Sequence, residues 1–235
     1  MGTRKLMRKL ARLHIWLGWL IGVPLLLWTM SGLVMVLKPI EEVRGDHLRK
    51  DVTETALPRD TNIAVSLPAR GTKPVLSVTT QVERGEVVTR ITYLDGSSER
   101  FRPDGSRMEP LSEIEARMIV AERIRGGDGV VDARRFGADD PPVDFRRPEE
   151  VWQVALEDGT HVYVGTQTGE IAAVRTRWWR VFDFMWGLHI MDLDTREDTS
   201  HPLLILFAAL SLLGTLAGIV LLFRRRKARL SPATQ

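Results

Sequence analysis

Hydrophobic and polar positions divide the chain sharply. Residues 15–37 and 203–223 are uncharged and overwhelmingly apolar, one run near each end of the sequence. At 1.5 Å of rise per residue each is long enough for a hydrocarbon layer about 30 Å thick. Inside lipid every backbone N–H and C=O must be satisfied within its own segment, so each run is predicted to be a spanning helix. Between them the pattern shortens. Residues 38–72 are polar and charged, punctuated by Pro58 and Pro68, and carry no clear period. Residues 75–80 and 87–93 cluster or alternate β-branched side chains between turn residues and are predicted strands. Residues 110–125 place Leu111, Ile114, Met118, Ile119 and Ile124 near one face, which predicts an amphipathic helix. Ser112, three residues before Glu115, has the spacing of a capping box, and Gly126-Gly127 ends the pattern. After a loop bearing Pro141, Pro142 and Pro148, residues 151–156, 161–165 and 171–174 predict three further strands. Asp158-Gly159 and Thr168-Gly169 separate them as hairpin turns.

Those turns belong to a weak internal repeat. Ile91-Thr92-Tyr93-Leu94-Asp95-Gly96 leads through Glu99-Arg100-Phe101 to Asp104-Gly105. In the same way Val154-Ala155-Leu156-Glu157-Asp158-Gly159 leads through His161-Val162-Tyr163-Val164 to Thr168-Gly169. Two related antiparallel meanders with a helix packed on them make an α+β domain. Between it and the second apolar run, residues 178–191 carry Trp178, Trp179, Trp186, Phe182 and Phe184 among polar groups. This composition predicts a helix lying in a bilayer interface.

Charge supplies an orientation. Arg4, Lys5, Arg8, Lys9 and Arg12 precede the first run, Arg224, Arg225, Arg226, Lys227 and Arg229 follow the second, and no acid accompanies either cluster. The positive-inside rule then puts residues 1–14 and 224–235 in the cytoplasm and the middle of the chain across the membrane. Ten of the 33 basic residues sit in these ends, leaving 23 against all 30 acids, so the translocated part carries −7. The basic isoelectric point thus reflects topology and contact with membrane lipid, and no nucleic-acid partner is expected. The first run is too long for a signal-peptide core and lacks a small-x-small site after it, which reads as an uncleaved anchor. The chain has no cysteine, which excludes disulfides, thiolate metal sites and c-type haem attachment.

Three stretches resemble the PepSY-associated transmembrane helix family of bacterial inner membranes. Leu13-His14-Ile15-Trp16-Leu17-Gly18-Trp19, continuing through Pro24 to Ser31-Gly32, resembles its opening helix. Residues 152–174, with Val162-Tyr163-Val164-Gly165-Thr166-Gln167-Thr168-Gly169-Glu170, are similar to the closing hairpin of a PepSY module. Trp186-Gly187-Leu188-His189, leading to the last apolar run and its arginine-rich tail, is the third. The resemblance implies an inner-membrane protein whose α+β PepSY-like domain, residues 38–177, is periplasmic and held between two transmembrane helices. Larger members have more spans and are associated with haem and with reduction of iron–siderophore complexes. A two-span chain would need a homodimer, or other membrane-protein subunits, to assemble a four-helix bundle.

Against that background three histidines stand out, because ionisable groups at membrane boundaries are costly. His14 shares a helical face with Gly18 and Gly22, a shape suited to a porphyrin with an imidazole axial ligand. The same Gly18-x-x-x-Gly22 spacing suits plain helix packing, as does Gly214-x-x-x-Gly218. His189 ends the aromatic segment, and His201-Pro202 opens the second run, with Ser200 as its cap. Arg177 and Arg180, with Arg175, are candidates for haem propionates or equally for lipid phosphates. A layer ~30 Å thick separates His14 from the other two, so candidate haem b sites would be two in number. His47 and His161 read as a solvated connector residue and a strand residue. No zinc-protease, phosphate-loop or nucleophile-elbow motif is present, so any activity would be that of a haem-dependent membrane reductase component. The competing reading is a non-enzymatic, membrane-tethered binding or regulatory module, or an accessory subunit of a larger complex.

Overall fold

The computed structural model describes residues 2–51, 55–60, 62–64 and 73–230. The chain forms two compact units, Met1–Pro39 with Val181–Gln235, and Ile40–Arg180.

The first unit is built on two long helices, α1 (Gly2–Met35) and α5 (Pro202–Leu230). In α1 the less exposed positions Leu10, His14, Leu17, Ile21, Pro24, Trp28 and Ser31 recur at alternating steps of three and four. In α5 Leu204, Phe207, Ser211, Gly214, Gly218 and Leu221 do the same. A 3.5-residue period is the seam of a left-handed helix pair, and the small residues of α5 let α1 approach closely. The helices run antiparallel, because Leu17 and Ile21 meet Gly214 while Pro24 and Trp28 line a cleft with Leu204 and Phe207. Away from the seam the apolar side chains are bare, Trp19 at 83% and Leu20 at 58% exposure. Such faces suit lipid, and Lys5–Met35 and Pro202–Phe223 are long and apolar enough to cross a membrane. The basic residues before the first apolar run form the opening turns of the same helix.

The second unit is the expected α+β fold. Strands β1 (Val75–Glu83), β2 (Glu86–Tyr93) and β3 (Ser98–Phe101) form an antiparallel meander. Strands β4 (Val130–Phe136), β5 (Val151–Leu156), β6 (His161–Gly165) and β7 (Ile171–Arg175) form a second. The internal repeat is visible as two copies of one turn. Asp95 Oδ1 accepts from the Ser97 amide between β2 and β3, and Asp158 Oδ1 accepts from the Thr160 amide between β5 and β6. The first hairpin closes on Arg84-Gly85, both at positive φ (53° and 86°), as a two-residue turn of this hand requires.

Helix α3 (Glu113–Arg123) starts at the predicted capping box, with Ser112 Oγ accepting from the Glu115 amide while the Glu115 carboxylate accepts from the Ser112 amide. Its buried Ala116, Ile119 and Val120 pack with Val154, Val162, Val164 and Val174 on one face of the second sheet. The opposite face is covered by Phe145, which stacks on Tyr163. Strand β6 is therefore buried on both sides, which accounts for its unbroken apolar character.

Two segments differ from expectation. The strand β4 replaces a presumed loop, since its alternating charges hide a period-2 pattern. The start of the polar connector is folded, as α2 (Ile40–Val43) and a 3-10 turn (Asp46–Leu48). Val43 is fully buried, and the Lys50 amide donates to the Arg123 carbonyl, so α3 recruits this stretch as an extra edge.

Candidate functional site

The candidate chemistry of the first unit lies in two histidine layers. His14 sits in the α1–α5 seam, where its Nδ1 is 3.0 Å from the Gly214 carbonyl oxygen. A carbonyl can only accept, so Nδ1 carries a proton, and in the neutral ring that tautomer leaves the lone pair on Nε2. The ring lies directly on Gly218, where a Cβ would come within 2.9 Å of Cε1 and 3.4 Å of Nε2. Glycine at 218 is thus what admits the imidazole between the helices.

His189 closes α4 (Arg177–His189), and its ring lies on Gly32, where a Cβ would come within 3.2 Å of Cε1. Its Nδ1 is 3.2 Å from the Trp28 carbonyl and 3.1 Å from Ser31 Oγ, and Ser31 Oγ itself donates to the Trp28 carbonyl. Nδ1 is again the donor, Nε2 again the bare nitrogen, and the ring stacks on Trp28 at 5.3 Å. Both histidines therefore share one arrangement, a glycine under the ring and a backbone carbonyl fixing the tautomer. Ser31 lies 17 positions after His14, so helical rise separates the two layers by about 25 Å.

α4 is fixed at its far end by the loop that follows it. Arg196 Nη1 reaches the buried Asp183 carboxylate at 2.5 Å, and Trp186 Nε1 donates to the Arg196 carbonyl. The loop winds around Asp192, whose carboxylate accepts from Thr195 Oγ1 and from the amides of Thr195, Glu197 and Asp198. These bonds hold its pKa well below the usual carboxylate range, the Thr195 hydroxyl foremost. Neither anchor was legible in the sequence beyond an Asp-Thr pair three apart. His201 precedes α5 at the same end of the helix pair as His189. Its Nδ1 and the Trp28 Nε1 are buried without a hydrogen-bond partner among the described residues.

The remaining sequence candidates lie elsewhere. Gly18 and Gly22 are exposed, and a Cβ on either would meet nothing within 4 Å. Each step of four residues turns 40° further round the helix, so a line from His14 through Gly18 and Gly22 leaves the seam. Arg180 donates to the Gly159 and Arg175 carbonyls and lies 3.7 Å from Asp144. Arg177 covers the glycine of the same Asp158-Gly159 turn. His161 is more than a plain strand residue, since its Nδ1 meets the Asp144 carboxylate at 2.9 Å. Tyr163 donates to the other oxygen of that carboxylate, and Arg175 Nε donates to the Asp144 carbonyl. Burial pushes the Asp144 pKa up, but the bonds from His161 and Tyr163 outweigh it and hold the group below its ordinary range.

A helix pair bare on its outer faces, with an antiparallel α+β domain between the two helices in sequence, defines a membrane protein with two candidate spans. The family model described as the PepSY-associated TM region matches residues 11–235, and the chain belongs to that family. No curated protein and no solved structure matches the chain.

Proposed function

We propose that this protein is a haem b-carrying component of transmembrane electron transfer, serving iron or siderophore acquisition. In this reading it is an inner-membrane protein with both termini in the cytoplasm and its α+β domain in the periplasm. The observation that carries the proposal is the shared arrangement of His14 and His189. Each ring is held by an Nδ1–H bond to a backbone carbonyl, leaving the Nε2 lone pair for a metal. Metal-bound histidines are oriented in this way, because the second bond fixes the tautomer and raises ligand basicity. The partnerless His201 Nδ1 and Trp28 Nε1 add buried polar atoms at the His189 end that a bound group would satisfy.

Bound haem would supply a one-electron carrier at each layer. His14 and His189 would ligate, with His201 a further candidate. Arg177 and Arg180 belong to the other compact unit, where Arg180 is engaged by two carbonyls and Arg177 covers the Asp158-Gly159 turn. Because the layers are about 25 Å apart, one protomer offers His14 no second histidine at its own level. A second copy of this chain, or another membrane subunit, would complete it. Gly18 and Gly22, bare on α1, are the face through which such a helix could approach.

The test is the reduced-minus-oxidised visible spectrum of detergent-purified protein expressed with ample haem. A Soret band that is partly lost in His14→Ala and in His189→Ala, with different residual spectra, is the expected result. Its absence from the wild-type protein would overturn the proposal.

A further inference from the structure

Within the second unit, the first sheet and α3 enclose a solvent-open cavity of about 250 Å³. Its walls divide by chemistry. Met108, Leu111 and Ile119 form an apolar side, while Arg84, Arg100 and Arg123 line the rest together with three glutamates. The three arginines are not equivalent. Arg84 is ion-paired with Glu122 at 3.1 Å. Arg123 is half-buried, and its guanidinium has no partner among the described residues. Arg100 is only 6% exposed, and among the described residues its side chain makes one hydrogen bond, a long one of 3.3 Å from Nη2 to the Glu109 carbonyl.

A guanidinium so deeply buried ordinarily has a carboxylate against it, because removing the charge from water costs several kcal/mol. Three glutamates share the cavity. Glu83 accepts from Arg90 at 2.9 Å and from Gln81, both at its Oε1. Glu115 accepts from the amide and the hydroxyl of Ser112, both at its Oε2. Glu86 is exposed at the start of β2. None of them bonds Arg100. Its pKa is lowered from the ordinary arginine value, by burial first, with Glu83 and Glu115 opposing the shift from a distance.

We infer that this cavity is a binding site for a small amphiphilic carboxylate, its anionic end on Arg100 and Arg123 and its apolar body along Met108, Leu111 and Ile119. Planar guanidinium forks match carboxylates in two parallel bonds, and this wall offers two forks that no carboxylate among the described residues bonds. The volume admits a short chain or the end of a longer one. Such a carboxylate has two sources, a free short-chain acid or the C-terminal residue of a peptide. The site is independent of the haem proposal, because every residue in it belongs to the unit Ile40–Arg180.

The experiment is a titration of the full-length protein in detergent with N-acetyl-leucine, its uncharged amide and hexanoate, read by saturation-transfer NMR and calorimetry. N-acetyl-leucine is expected to saturate with a Kd on the order of 1 mM or tighter, and the amide at least about tenfold more weakly. Hexanoate binding as well as N-acetyl-leucine would assign the site to free acids, and weaker hexanoate binding would assign it to peptide ends. Arg123→Gln, at a half-exposed position where folding should be unaffected, is expected to weaken the acid about tenfold and leave the amide unchanged. Arg100→Lys serves as the buried variant, keeping the charge while losing the fork. Equal binding of acid and amide, no saturable binding of either acid, or an Arg123→Gln variant with wild-type affinity would each overturn the inference. Arg100 would then be a core cation held by Glu109 and the field of its neighbours.

Discussion

Ser112 satisfies the first turn of α3 with its own side chain, and the Glu115 carboxylate returns the bond. Ser112→Ala leaves both donors to water and should cost about 1 kcal/mol, measured as a lower urea midpoint with an unchanged slope. Asp144 provides a pH handle. Its folded-state pKa is depressed, so its stabilising contribution is complete above the unfolded value near ~3.9 and is lost as pH falls towards the folded value beneath it. Asp144→Asn should flatten the fall in stability below about pH 4, and acid-unfolding curves of the two proteins that stay parallel there would contradict it. The chain has two tyrosines, and both resist ionisation. Tyr93 is pushed up to about 12 by burial and then by its bond to Glu99, and Tyr163 is raised by burial and by Asp144. An alkaline absorbance titration should therefore show no phenolate at pH 10, where an ordinary tyrosine is half ionised. The cap was legible in the sequence because it is local. The His161–Asp144–Tyr163 cluster was not, because Asp144 lies 17 positions from His161 and meets it only through the packing of the loop on β6.

For the helix pair, the seam makes a contrast that composition cannot. Four glycines sit at four-residue spacing on the two helices, yet only Gly214 and Gly218 touch the opposing helix. Gly218→Ala drives a methyl to 2.9 Å from His14 Cε1 and should displace the ring, changing whatever spectrum His14 contributes. Gly18→Ala meets nothing within 4 Å and should be neutral or slightly stabilising in one protomer, since alanine favours a helix by up to about 1 kcal/mol over glycine. If Gly18→Ala instead alters the haem spectrum or the oligomeric state, its exposed face meets a partner. The strands followed a similar rule. Those between clear turns, β5 to β7, match their predicted bounds to within a residue, whereas β1 runs three residues past its predicted end. β4 carries Asp132, Arg134 and Arg135, and these charges masked its period.

Over the whole molecule, the distribution of charge argues for both ends on one side of the membrane and the α+β domain on the other. A reporter fused after Gly105 should be active only in the periplasm and one fused at the C-terminus only in the cytoplasm. The reverse pattern would reject the topology and with it the side assigned to each histidine layer. What the sequence by itself determined is whatever rests on neighbours in the chain: two apolar lengths sufficient to cross a bilayer, the capping box, the Asp-Gly turns and their repetition, and membership of the family through its motifs. What only the tertiary structure decided is which side chains meet across distance. It chose Gly214 and Gly218 over Gly18 and Gly22 as the bed for His14. It turned Nδ1 of both histidines to backbone carbonyls, tied Arg180 to Gly159, and left Arg100 buried with no carboxylate bonded to it among the described residues. Periodicity selects a helical face to within a residue or two, but a contact depends on rotation to within a few tens of degrees, and that is set by how the helices and sheets pack.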